Sequence, residues 1–234
     1  MQNKELGFVR EMFEKIAPRY DFLNRLLSLR KDIYWRQTLV SVMEIPAKGR
    51  VLDVACGTGD IGIEIIKQKG HRVSVFGADF STNMLHIAKN KADMLFCSSS
   101  IHLVAANAFY LPFRQETFDA ATIAFGIRNI NNKTAALKSF HNSLKPKGML
   151  LVLELTTPLK GMLLSLYLFY FKRILPLIGR LFSKNSMAYT YLPSSVANFP
   201  DAKTFALMMR DAGFKKVMWK KMTMGIATLF IGFK

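Results

Sequence analysis

Cysteine is scarce in this chain of 234 residues, which has two, Cys56 and Cys97. Two thiols cannot build the disulfide framework on which small secreted folds depend, and they suit a reducing compartment. Histidine is nearly as rare, with four in all. No Cys or His spacing typical of a zinc site occurs, so no metal is expected. Acidic residues are outnumbered, 16 against 33 basic, for a formal charge of +17. That imbalance favours anionic partners, either nucleic acid or an anionic membrane surface. The basic residues nevertheless fall in short clusters at Lys145 to Lys147, Lys172–Arg173, Lys215–Lys216 and Lys220–Lys221. No zinc finger, basic-region helix or aromatic RNA-binding signature accompanies them, so no nucleic-acid partner is expected. Long apolar runs are missing too. Gly161 to Phe171 is eleven residues without a charge, where a bilayer-spanning helix needs about 20. The opening MQNKELGFVREMFEK alternates charged and apolar residues, which predicts no secretory leader. A cytoplasmic protein, soluble or peripheral to a membrane, is the expectation.

Half of the residues are hydrophobic, enough for a sizeable core in one domain. Residues 1 to about 45 carry Phe8, Met12, Ile16, Phe22, Leu26 and Leu29 near helical spacing. Pro18 interrupts them, so two helices are expected, closed by Pro46 and Gly49. From Arg50 the pattern alternates. Strands are expected at Val51 to Ala55, Val73 to Asp79, Ile101 to Ala105, Phe118 to Phe125 and Met149 to Leu155, the last after the turn KPKG. Helices are expected at Ile61 to Lys69, from an N-cap at Ser81 through Ala92, and at Thr134 to Leu144. Residues 159 to about 183 are apolar on nearly every face and break the rhythm, and 184 to 200 read as loop. A helix at Ala202 to Ala212 and strands at Lys216 to Met222 and Ala227 to Phe233 close the chain. This order predicts an α/β, doubly wound, mostly parallel seven-stranded sheet, with an N-terminal helical cap (1–46) and a helical insertion (159–200) in one domain.

The segment VLDVACGTGD, Val51 to Asp60, carries the chemistry. Gly57-Thr58-Gly59-Asp60-Ile61-Gly62 matches G-x-G-x-x-G between a strand and a helix, and Asp79 lies 20 residues beyond Gly59. By itself the pattern leaves a nicotinamide enzyme and a methyltransferase both open. Asp53 separates them. It lies four residues before Gly57, where a pyrophosphate would meet a buried like charge. S-adenosylmethionine carries a sulfonium and an ammonium group, which Asp53 could balance directly or through the turn. Glycines at 57 and 59 let the backbone approach closely. Asp79 can accept from both ribose hydroxyls, and Asn107-Ala108, after the third strand, can meet the adenine edge. The plain structural alternatives are a capping acid at Asp79 and a turn residue at Asn107.

The blocks FEKIAPRYDFLNRLLS (Phe13 to Ser28), Trp35-Arg36, VLDVACGTGD, ANAFYLPF (Ala106 to Phe113), FGIRN (Phe125 to Asn129), LKPKGMLLVLELTTP (Leu144 to Pro158) and YTYLPSS (Tyr189 to Ser195) resemble the ubiquinone/menaquinone biosynthesis C-methyltransferases, in particular demethylmenaquinone methyltransferases. The likeness runs from about Val9 to Phe233. It implies the class I S-adenosylmethionine-dependent methyltransferase fold, which is Rossmann-like, and methylation of a ring carbon of a polyprenylated hydroquinone. By position it implies cofactor contacts from Thr58, Asp79, Asn107 and Ala108. Two departures stand out. Ala124 occupies a position where the family often has serine, and Arg30, Asp32 and Ile33 replace its Gly-x-His-Arg.

Ring methylation requires a nucleophilic carbon, best generated by ionising an adjacent hydroxyl, and a base in reach would assist. The four histidines, His71, His86, His102 and His141, read as surface or packing residues. Tyr20, Asp21, Asn24, Arg128 and Asn129 are the stronger substrate-site candidates, because their blocks flank the carboxyl ends of the strands. For Tyr20 the plain alternative is a core aromatic, and for Arg128 an ion pair. The segment Leu159 to Phe182 is either a core helix or an interfacial one, admitting a prenyl tail while Lys172, Arg173 and Arg180 meet headgroups at the inner face of the cytoplasmic membrane. An RNA methyltransferase and a nicotinamide-dependent oxidoreductase are the rival functions, and a homodimer is left open.

Overall fold

The computed structural model describes residues 2–157, 173 and 187–234. Its centre is a seven-stranded sheet in the order β3-β2-β1-β4-β5-β7-β6. The strands are β1 (Arg50–Val54), β2 (Ser74–Asp79), β3 (Ile101–Ala105), β4 (Phe118–Ala124), β5 (Leu144–Leu155), β6 (Lys216–Met222) and β7 (Ala227–Phe233). The first five pair in parallel, and β7 runs antiparallel to both β5 and β6. The order reverses between β1 and β4, so the loops after the strands part at that crevice.

The helices are α1 (Gln2–Ile16), α2 (Tyr20–Leu27), α3 (Lys31–Ser41), α4 (Asp60–Lys69), α5 (Thr82–Met94), α6 (Lys133–Ser143), α7 (Met187–Ala197) and α8 (Ala202–Asp211). Alternation along the strands decides which layer each one joins. Leu52, Val54, Ala121, Ile123, Leu150 and Val152 pack against α6 and α8 through Leu137, Phe140, Phe205 and Met209. Val51, Val75, Ala120, Leu151 and Leu153 face the opposite layer, α3 and α4, through Trp35, Leu39, Ile61 and Ile65. Each of these large side chains contributes roughly 1.5–3 kcal/mol by leaving water. Both faces of the central strands are therefore covered, which is why they read as near-continuous apolar runs.

Three expectations are corrected. The N-terminal region holds three helices rather than two. Pro18 sits in a 3-10 turn, Ala17–Arg19, and a second break follows at Leu29 and Arg30, both with positive φ, 50° and 63°. The stretch 184–200 is not all loop, because α7 runs through Pro193. Its Val196 and Leu192 bury against Leu23 and Leu27, and tertiary burial of this kind sustains a helix that propensity disfavours. The fifth strand begins at Leu144, before the KPKG turn, with its register against β4 shifting between Phe118 and Ala120. The apolar stretch expected to be a helix at 159–182 lies outside the described residues.

Candidate active site

A cavity of about 550 Å³ opens at the carboxyl ends of β1 to β4, a size within the usual ~300–1,000 Å³ for small-molecule sites. Its floor is the glycine turn. Gly57 and Gly59 take φ of +54° and +81°, a region where a side chain is strained. A Cβ at residue 57 would meet no protein atom within 4 Å, whereas one at residue 59 would lie 3.0 Å from the Ala88 Cβ. The first glycine thus keeps space clear for a ligand, and the second lets the turn close on α5. Gly62 serves packing as well, since a Cβ there would stand 3.3 Å from Val75.

Asp79, at the end of β2, fastens the turn. Its Oδ2 accepts from the Gly57 N–H at 2.8 Å and its Oδ1 from the Ser81 N–H at 2.9 Å. Burial pushes its carboxyl above the ordinary value, against the pull of the N–H groups of Ser81, Gly57 and Phe80. Each carboxylate oxygen keeps a second acceptor position. Asp79 is therefore not the helix cap, a role Ser81 takes, but the acid that ties the glycine turn to the start of α5 and a wall of the cavity with room to accept from a vicinal diol. Asn107 combines roles in the same way. Its Oδ1 accepts from the Phe109 N–H at 3.0 Å, fixing a turn, while its amide NH₂ remains for an acceptor in the cavity it lines beside Ala108.

Asp53 does not line the cavity. It lies behind the turn, 1 % exposed. Its Oδ1 accepts from the Thr122 hydroxyl at 2.8 Å, and its Oδ2 has no partner among the described residues. Burial raises its carboxyl from 3.8 to about 7; Thr122 and Arg36 pull it down, while Asp79 and Asp60 push it further up. The turn therefore stands between Asp53 and the cavity.

Thr58 and Asp21 come together, but not at the cavity wall. The Thr58 hydroxyl donates to Asp21 at 2.6 Å, and Lys91 Nζ reaches Asp21 at 2.8 Å. Lys91 also pairs with Asp60, the first residue of α4, and Arg25 and Arg36 reach Asp60 at 3.3 and 3.5 Å. Burial acts to raise the Asp60 carboxyl, but Arg36, Lys91 and Arg25 outweigh it and hold it below its ordinary value. This network straps α2 and α3 over the helix that starts at the glycine turn. Asp32, one of the two departures, is part of it, buried and accepting from Ser28 and Arg36.

The substrate-side candidates divide. Tyr20 and Asn129 line the cavity, whereas Asp21, Asn24 and Arg128 do not. Burial pushes the Tyr20 phenol up, against a hydrogen bond from Asn24 and the charges of Arg128 and Arg36. Asn129 Oδ1 accepts from the Tyr191 hydroxyl at 3.1 Å. Arg128 is a buried ion pair with Glu154 at 2.7 Å, and its NH1 also donates to the Phe125 carbonyl. No histidine is among the residues that line the cavity. Sequence reasoning missed Phe13, Phe80, Phe109 and Ile130, which give the cavity much of its apolar wall. It also missed Tyr191 as the partner of Asn129, although the YTYL block contained it.

A sequence model of the ubiE/COQ5 methyltransferase family matches residues 1–234. The chain belongs to that family. It is 44% identical over 226 residues to the ubiquinone/menaquinone biosynthesis C-methyltransferase UbiE of Geotalea uraniireducens, covering 97% of this chain and 96% of that protein. It is 42% identical over 226 residues to the demethylmenaquinone methyltransferase of Deinococcus radiodurans, covering 97% and 92%. Among solved structures, the [4+2]-cyclase SpnF superposes with a TM-score of 0.72 at 15% identity, over 97% of this chain and 95% of that one. A SAM-dependent methyltransferase from Thermotoga maritima superposes at 0.68 and 18% identity, over 96% and 99%. These last two show the fold alone, the expected Rossmann-like one. The protein is thus a methyltransferase, which removes the nicotinamide oxidoreductase from consideration.

Proposed function

We propose that this ubiE/COQ5-family enzyme methylates a ring carbon of a polyprenylated hydroquinone, demethylmenaquinol to menaquinol and possible ubiquinol-pathway equivalents, with S-adenosylmethionine as donor. One observation carries the proposal beyond the family name. A single cavity joins an adenosine-compatible wall, Gly57, Asp79 and Asn107, to an aromatic wall that holds two polar groups, Tyr20 and Asn129. The residues fit the cofactor, since Gly57 leaves open space, Asp79 has acceptor positions in reserve, and Asp53 places a partnerless carboxylate oxygen behind the turn. S-adenosylmethionine supplies an activated methyl on a sulfonium, so positioning does much of the work.

On the substrate side, Asn129 commits its oxygen to Tyr191 and keeps its NH₂ as a donor. Tyr20, raised by burial, stays protonated at neutral pH and acts as a hydrogen-bonding group rather than a base. Donors aimed at a hydroquinone oxygen favour its ionised form, which raises electron density at the ortho carbon. Phe13, Phe80, Phe109 and Phe125 keep water from the reacting face. Arg128 supports this arrangement through Glu154, holding the turn that carries Asn129.

Incubation with labelled S-adenosylmethionine and both demethylated quinols tests the proposal. Label is expected in the naphthoquinol product, and label in neither quinol overturns it. Methylation of RNA that falls steeply with salt would favour the RNA reading instead.

A further inference from the structure

Among the described residues, nine non-glycine positions take positive φ, and four of them form two tips at the end of the sheet where the cavity opens. Leu29 and Arg30 follow α2 with φ of 50° and 63°, and Thr223 and Met224 follow β6 with φ of 45° and 55°. None is a glycine, although the left-handed region favours one. Both tips hold a large apolar side chain out in solvent: Leu29 is 81 % exposed and Met224 is 74 % exposed. Strained backbone that displays an apolar group is a pointer to function.

The tips are neighbours. Trp35 Nε1, on α3, donates to Thr223 Oγ1 at 2.8 Å. Leu27 and Ile226, each two residues from a tip, share one apolar cluster with Leu23 and Val196. They also stand at the functional end of the sheet. Ala227, which opens β7, pairs with Leu155 at the carboxyl end of β5, the end at which the cavity opens. Phe22, on α2, adds a third exposed apolar side chain.

The exposed charges along the tips are cationic, while Asp21 and Asp32, which flank the first tip, are held in ion pairs. The stretch 22–31 contains Arg25, Arg30 and Lys31 and no acid, and 215–233 contains Lys215, Lys216, Lys220 and Lys221 and no acid. Arg30, Lys31, Lys220 and Lys221 are exposed. Isolated apolar tips ringed by cations suit a surface with an apolar interior and anionic phosphates at its boundary.

We propose that the Leu29–Arg30 and Thr223–Met224 tips dock this enzyme on an anionic phospholipid surface, the apolar side chains entering below the headgroups and the flanking cations meeting the phosphates. Docking there turns the mouth of the cavity toward the bilayer. The inference deepens the prenylated-quinol proposal and rests on it only for where the substrate resides. Docking is measured without catalysis, so either can fail alone.

The full chain is sedimented with phosphatidylcholine vesicles, with and without phosphatidylglycerol. Wild type is expected to bind only the anionic vesicles. The double variant Leu29→Ser/Met224→Ser is expected to partition roughly ten-fold less, given the methylene groups withdrawn from the interface. Arg30→Ser and Lys31→Ser are expected to lower partition about five-fold each. Phe96 shares the positive φ (55°) and is 86 % exposed, but it follows α5 and does not line the cavity, so it supplies the control for strain and exposure alone, and Phe96→Ser is expected to bind as wild type does. In single variants Leu29→Trp and Met224→Trp, indole emission is expected to shift blue on anionic vesicles and to be quenched by brominated lipid. Equal partition of wild type and the double variant, or no blue shift at either tip, overturns the proposal. A dimer that the double variant dissociates, without vesicle binding by wild type, overturns it in favour of a second copy as the occupant. Retained vesicle binding with no quinol methylation would leave docking standing and remove the substrate.

Discussion

Replacing Asp53 by asparagine isolates the most unusual group in the molecule. The folded protein holds this carboxyl near 7, against 3.8 for the free group, because burial outweighs its bond to Thr122. The folded state therefore keeps the proton to a higher pH than the unfolded chain does. The contribution is full below about pH 4, declines as pH rises through the window from about 4 to 7, and is gone above it. Some three pKa units correspond to about 4 kcal/mol of pH-dependent stability. For a domain of this size that is a shift of about 10 °C in melting temperature. Asparagine holds no titrating proton, so its variant lacks this slope. It also places an amide NH₂ where Oδ2 has no partner, a constant cost of about 1–3 kcal/mol. Melting curves of both proteins should be taken from pH 4.5 to 8.5. The difference, variant minus wild type, is expected to climb by about 10 °C across the range, from negative to positive. Parallel curves would refute the buried, partnerless carboxylate as described. Cofactor binding supplies a second readout. A cation beyond the turn favours the ionised form, so wild-type affinity for S-adenosylmethionine should rise with pH through 7, while the variant binds about ten-fold more weakly with little pH dependence.

The two glycines of the turn should respond differently to alanine. Gly57→Ala is expected to cost about 1 kcal/mol of stability from its positive φ and to abolish measurable cofactor binding by calorimetry, because its methyl fills ligand space. Gly59→Ala is expected to lose more stability, by thermal melt, because its methyl meets Ala88 as well. Arg128→Met removes the ion-pair partner of Glu154, 0 % exposed, and leaves it, among the described residues, only the backbone N–H groups of residues 128 and 155; it is expected to lose about 3–5 kcal/mol in urea unfolding. Adding Glu154→Gln should recover a good part of it, and full activity in that double variant would exclude any direct part for Arg128 in the reaction. Lys91→Met removes the centre of the strap on α2 and is expected to lose about 1–2 kcal/mol, less at high salt, with faster proteolysis at α2.

The elements that the sequence reveals are those whose limits are set locally. Strands β3, β6 and β7 match their expected bounds to the residue. Ser81 caps α5 through the Met84 N–H, as a serine before a helix should. The glycine turn is legible because its positive φ leaves little choice of residue. The break at Leu29–Arg30 is hidden for the converse reason: the chain adopts a glycine's conformation without a glycine, so only the fold reports it. The same holds for α7, where Pro193 signals an end that burial of Val196 overrides.

The site follows this division, and so does the difference between its two halves. Asp79 ends β2 and Asn107 lies two residues beyond β3, strands whose positions are locally determined, so both could be placed at the carboxyl ends of the strands from the sequence. Asp53, Asp21 and Arg128 sit in equally recognisable blocks, yet their roles depend on partners 69, 37 and 26 residues away, Thr122, Thr58 and Glu154. Asp53 and the Arg128 side chain are buried by the fold and Asp21 is half-buried, and a charge drawn out of water must be paired, bonded or neutralised. Arg128 is paired, Asp21 is bonded into the strap, and Asp53 is left to neutralisation by its proton. Asp53 Oδ2 and Arg128 Nε both lack a partner among the described residues, and of the two it is Asp53 that stands directly behind the turn where a cationic ligand would be held.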